Sequence, residues 1–74
     1  MKNNHYKELI KIGLNITYYQ KEQRLTQEEL AEKASISRNH LQRIESGYCA
    51  SLNVLMDIAD ALDIPLCKLF EFRD

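Results

Sequence analysis

A chain of 74 residues makes one small domain, near the lower size at which a hydrophobic core holds without disulfides, metal or a second subunit. Its 45% apolar and 28% charged residues argue against disorder, and no run approaches the ~20 apolar residues of a membrane span. A net charge of -1 argues against indiscriminate coating of nucleic acid, since such binding comes from neutralised phosphates.

The distribution of charge says more than its sum. Residues 1–24 carry +3, residues 25–50 carry -1 and residues 51–74 carry -3. A basic end and an acidic end fit a side that faces DNA and a side that faces away.

The first helix is expected over about residues 5–22. Leu9, Ile12, Ile16 and Tyr19 recur at helical spacing as an inward stripe, with Ile10, Leu14 and Tyr18 as a second stripe beside it. The second stripe suits either a subunit contact or cover for the C-terminal helix, and cover is the preferred reading because a small domain uses every apolar residue it has. Gly13, costly inside a helix, marks a close helix crossing.

Residues 26–47, TQEELAEKASISRNHLQRIESG, read as two short helices with a tight break. Thr26 with Glu29 forms a capping box, Ser37 caps the second of the pair, and Gly47 suits a left-handed stop. At 100° per residue Leu41 and Ile44 point inward, while Asn39, Gln42 and Arg43 lie opposite and Arg38 projects ahead of them. Arg can pair bidentately with guanine, and Asn or Gln with adenine. A solvated polar face is the plain alternative.

Ser51 caps a fourth helix with Leu52, Leu55, Ile58, Ala59 and Leu62 inward. Asp63-Ile64-Pro65 ends it, and Pro65 opens a final helix over about 65–72. Of its apolar residues Leu66, Leu69, Phe70 and Phe72, Phe70 and Phe72 are the best candidates for a two-fold contact, with all four assigned to a dimer interface. The pattern is an all-α domain of five short helices occupying residues 1–74.

Nothing in the chain points to catalysis: there is no carboxylate pair, no Cys–His pair and no Gly-rich phosphate loop. Cys49 and Cys67 lack metal-ligand spacing and read as reduced thiols, and His5 and His40 read as isolated surface residues. The expectation is a cytoplasmic protein with no enzyme activity, cofactor, metal or membrane partner. No signal peptide is visible.

In order along the chain, Thr26-Gln27-Glu28-Glu29-Leu30-Ala31, Ile36-Ser37-Arg38, Ile44-Glu45-Ser46-Gly47 and Leu52, Leu55, Ile58-Ala59, Leu62-Asp63-Ile64 resemble the Cro/repressor (Xre-like, lambda-repressor-like) helix-turn-helix family. The likeness covers roughly residues 12–70. It implies a compact five-helix domain that places its third helix in the major groove, usually as a dimer on a palindromic operator. Carried over by position, it assigns base reading to Arg38, Asn39 and Arg43, with Gln42 adjacent. Gln27 matches a phosphate contact that also buttresses the first base-reading residue. Thr26, Ser37, Ser46, Tyr48, Ser51 and Asn53 match further backbone contacts, and helix N-termini at Thr26 and Ser51 suit phosphate physically.

Four positions depart from the family pattern. Gln20 stands where the family often has an Arg paired with the acid that is Glu45 here, so Gln20 is expected to reach Glu45 through a neutral-to-charged hydrogen bond. Arg24, Ser35 and Asp63 stand at turns where the family tends to use Gly. Each either adopts positive φ at roughly 1–2 kcal/mol or changes the turn. The link after Gly47 is also less basic than is common, which predicts few phosphate contacts and a shallow salt dependence.

The expected function is a sequence-specific transcriptional regulator, a repressor or small autoregulatory controller. It would read double-stranded DNA as a homodimer with third helices about 34–36 Å apart. Control would come from concentration, dimerisation or an unidentified protein partner. The alternatives are a protein-interaction module or an antitoxin-type partner protein using the same fold.

Overall fold

The structure, a computed structural model, describes residues 5–72. Its elements are α1 (Tyr6–Glu22), α2 (Gln27–Ala34), α3 (Arg38–Glu45), α4 (Leu52–Ala61) and a C-terminal 3-10 turn (Leu66–Phe70). There is no strand among the described residues.

Local chemistry sets the helix starts. In the α2 capping box Glu29 N donates to Thr26 Oγ1 at 3.0 Å and Thr26 N donates to Glu29 Oε1 at 2.8 Å, satisfying two amides that the helix itself leaves open. Ser37 accepts from His40 N at 3.0 Å to start α3, and Ser51 from Val54 N at 3.2 Å to start α4. The chain leaves α1, α2 and α4 by turning left-handed: Arg24, Ser35 and Asp63 have φ of 58°, 60° and 57°. Of the two options left open by the sequence, then, the turns keep their shape and three side chains carry the strain.

The core joins Ile12 and Ile16 of α1, Leu30, Ala31 and Ala34 of α2, Leu41 and Ile44 of α3, Leu55, Ile58 and Ala59 of α4, and Leu62 and Leu69 beyond it. α2 packs on α4 and on α3, α3 crosses α1, and the C-terminal turn closes between α1 and α4. At the α1–α3 crossing a Cβ built on Gly13 would stand 2.7 Å from the Glu45 carbonyl carbon and 2.8 Å from the Ile44 oxygen. The absence of a side chain therefore allows two backbones to touch, as the sequence predicts for Gly13.

Four expectations need correction. The fifth element is not an α-helix over 65–72 but a five-residue 3-10 turn that follows Pro65. The buried Asn15 amide donates to the carbonyls of Leu69 at 2.9 Å and Glu71 at 3.0 Å, drawing this segment down onto α1 and supplying partners that a longer helix would provide from its own amides. So short a turn cannot cover the second stripe of α1, and Leu14 and Tyr18 stay 60% and 46% exposed. They line a shallow groove of about 270 Å³ with Lys11, Asn15 and Phe72. Leu52, counted as inward, is 55% exposed because it opens α4 ahead of the packed turns. His40 is half-buried, with Nε2 covered and lacking a hydrogen-bond partner.

Candidate nucleic-acid interface

α3 is held by its inner face and offers its outer one. Leu41 and Ile44 are buried, while Arg38, Asn39, Gln42 and Arg43 are all exposed. The helix is therefore anchored along one side and leaves four side chains with base-reading chemistry on the other. With Ser46, Gly47 and Tyr48, three of them (Asn39, Gln42 and Arg43) border an open groove of about 520 Å³.

The end of α3 shapes that groove. Gly47 has φ of +102°, and a Cβ there would stand 2.7 Å from Ile10 Cγ1 of α1. The reversal lets Tyr48 N donate to Arg43 O at 2.9 Å and sets the Tyr48 ring 4.4 Å from the Arg43 guanidinium carbon. Sequence spacing gives no sign of this contact, because it depends on the left-handed turn between the two residues.

The backbone-contact candidates differ in what they have left to give. The hydroxyls of Thr26, Ser37 and Ser51 accept a backbone N–H, so their own protons remain for a phosphate oxygen. Ser46 does the reverse: its Oγ donates to Gln42 O at 2.9 Å, which spends its proton. In this conformation the Ser46 hydroxyl proton is held within the helix rather than turned outward. Tyr48 and Asn53 are exposed. The acidic Glu29 shares the α2 N-terminus, and its hydrogen bonds with Thr26 hold its carboxyl below the usual glutamate value.

Glu45 finds a different partner from the one predicted. Gln27 Nε2 donates to Glu45 Oε1 at 2.8 Å, tying the start of α2 to the end of α3. Gln20 makes no such bond: its Oε1 and the second carboxylate oxygen, Glu45 Oε2, are both buried without partners. Both α1 and α2 pack against α3, and it is Gln27 of α2 that reaches the carboxylate. One hydrogen of the Gln27 amide is thereby engaged at the end of α3 opposite Arg38. Burial pushes the Glu45 carboxyl above the usual value, while the Gln27 amide, the nearby Thr17 hydroxyl and Lys21 pull the other way.

Among the residues assigned to a dimer contact, Leu69 is wholly buried in this chain's own core, which removes it from any interface. Phe72 is half-buried, with Lys11 Nζ 5.5 Å from its ring centre. Leu66 is half-buried, and Phe70 is 40% exposed. Both cysteines are exposed and free, and among the described residues no group of three or more His, Cys, Asp or Glu is placed to hold a metal. No helix among them is long and apolar enough to cross a membrane.

Comparison with known proteins agrees with this geometry. The chain is 46% identical over 59 residues to the immunity repressor protein of Bacillus phage phi105, a match covering 78% of this chain and 41% of the repressor, so it spans less than half of that relative. Its fold superposes with a TM-score of 0.86 on the crystal structure of the restriction-modification controller protein C.AhdI from Aeromonas hydrophila. That match has 32% identity and covers 88% of this chain and all of the controller. The helix-turn-helix family model matches residues 16–69, well over half of the chain. By this match the chain belongs to the helix-turn-helix family, and its fold is that of a DNA-binding transcriptional regulator.

Proposed function

We propose that this chain is a sequence-specific regulator that reads a palindromic operator as a homodimer, with α3 of each copy in the major groove. One observation carries the reading: Arg38, Asn39, Gln42 and Arg43 project together from the outer face of a helix whose inner face is locked in the core. Guanidinium and amide groups held on a rigid helix match the donor and acceptor patterns of base edges. The hydroxyls of Thr26, Ser37 and Ser51, with Asn53 and the remaining amide hydrogen of Gln27, fix the register on the phosphates. Bound there, the protein acts in the cytoplasm by blocking or recruiting at a promoter, with occupancy set by concentration and dimerisation and no catalytic step. A repressor and a controller among its relatives both accord with this mechanism.

Selection from a random pool of duplex DNA at moderate salt tests the proposal. The expected product is a palindrome whose half-site centres lie about one helical turn apart. If no sequence is enriched, the chain does not read DNA. If a lone half-site is enriched with no symmetric mate, the dimeric part of the reading fails.

A further inference from the structure

We infer that Tyr48 is a positioning residue for base reading, holding Arg43 for guanine rather than serving chiefly as a phosphate contact. The inference rests on the DNA-reading function proposed above and names how one of its side chains is aimed. Arg43 lies in the last turn of α3, and nothing on its own helix stops a long arginine from sampling many rotamers. Tyr48 supplies the constraint. Its backbone N–H is tied to the Arg43 carbonyl at 2.9 Å, so the position of the ring relative to Arg43 is set by the backbone as well as by the side chains. The guanidinium carbon stands 4.4 Å from the ring centre, well within the range of a cation–π contact.

Geometry divides the labour within Arg43. A guanidinium that lies with its face on the ring keeps its N–H groups, which lie in the plane, free to donate. Both residues border the same open groove as Asn39 and Gln42, so those donors sit where a base edge enters. Bidentate donation to guanine O6 and N7 requires that alignment, and an arginine already ordered by a ring loses less freedom on binding. Gly47 makes the arrangement possible, since its φ of +102° returns the chain toward Arg43. The ring, not the hydroxyl, does the positioning, and this separates the inference from a phosphate contact.

Two measurements test it. In the free protein, the Arg43 side-chain proton resonances should be displaced by the aromatic ring in wild type and in Tyr48→Phe, and return to ordinary positions in Tyr48→Ala. On the selected operator, Arg43→Ala first identifies the base pair that Arg43 reads. Tyr48→Phe should keep discrimination at that pair, whereas Tyr48→Ala should lose about tenfold there and little elsewhere. In an Arg43→Ala background, Tyr48→Ala should add nothing at that pair. The inference is overturned if Tyr48→Phe loses as much as Tyr48→Ala, or if Tyr48→Ala weakens all sequences uniformly, either of which makes Tyr48 a backbone contact. Ring-displaced Arg43 resonances with no enriched DNA sequence would leave the contact standing and overturn the DNA-reading function, and this inference with it.

Discussion

Glu45 places a carboxylate in the last turn of α3, where the helix dipole disfavours an anion and burial removes water from it. One oxygen takes the Gln27 amide and the other is buried without a partner. With its carboxyl raised in the folded state, the unfolded chain gives up this proton first as pH rises. The stability linked to Glu45 is thus fully present below the unfolded glutamate value of about 4.3 and is lost as pH rises through the higher folded value. Glu45→Gln removes the titration and keeps an oxygen for Gln27. In urea unfolding it should therefore be more stable than the parent at pH 7, with the gap closing near pH 4. A variant less stable than the parent at pH 7 would show that the charged bond to Gln27 outweighs the burial. Comparing the two proteins at each pH cancels Glu29, whose lowered carboxyl has the opposite slope, its contribution being lost as pH falls. At this scale the sequence shows that Glu45 flanks the buried face but not which amide reaches it. Gln20 and Gln27 carry the same donor, and the choice between them is made by how α2 lies on α3.

Gly13 controls the position of the reading helix as an element. Replacing it with Ala gains roughly 1 kcal/mol of helix propensity. The new methyl would, however, meet backbone atoms of Glu45 and Ile44, which cannot swing aside as a side-chain tip can. Forcing α1 and α3 apart should leave Gly13→Ala about 1–3 kcal/mol less stable by urea unfolding, with operator affinity falling as well because α3 moves. An Ala variant more stable than the parent would mean that the crossing relaxes at no cost. The helix starts at Thr26, Ser37 and Ser51 were legible because a cap is a contact between residues three apart, as was Gly13, whose cost inside a helix needs a reason. The form of the C-terminal segment was not legible. Its tight turn depends on Asn15, whose bonds to Leu69 and Glu71 span more than fifty residues of sequence.

For the whole molecule, the proposed palindromic reading needs two copies related by a two-fold axis, and two exposed apolar surfaces are candidates to join them. One combines Leu52 and Met56 of α4, 55% and 43% exposed, with Phe70 of the turn packed against that helix, 40% exposed. The other is the groove on α1 at Leu14 and Tyr18. Periodicity could not rank them, since both carry apolar residues at helical spacing and exposure depends on how far the C-terminal turn reaches. The first surface lies in residues 51–74, whose charge of -3 disfavours DNA beyond the α4 N-terminus, and this favours it as the contact between copies. A buried aromatic at the centre of such a contact commonly contributes 2 kcal/mol or more, so Phe70→Asp should weaken dimerisation by at least about tenfold. Sedimentation should then show a lower mass, and binding to the full palindrome should fall much further than binding to a half-site. Leu14→Asp, introducing the same charge on the other surface, should change neither measurement. The reverse pattern would move the two-fold axis to α1, and the span between the two reading helices would have to be derived from that side of the molecule.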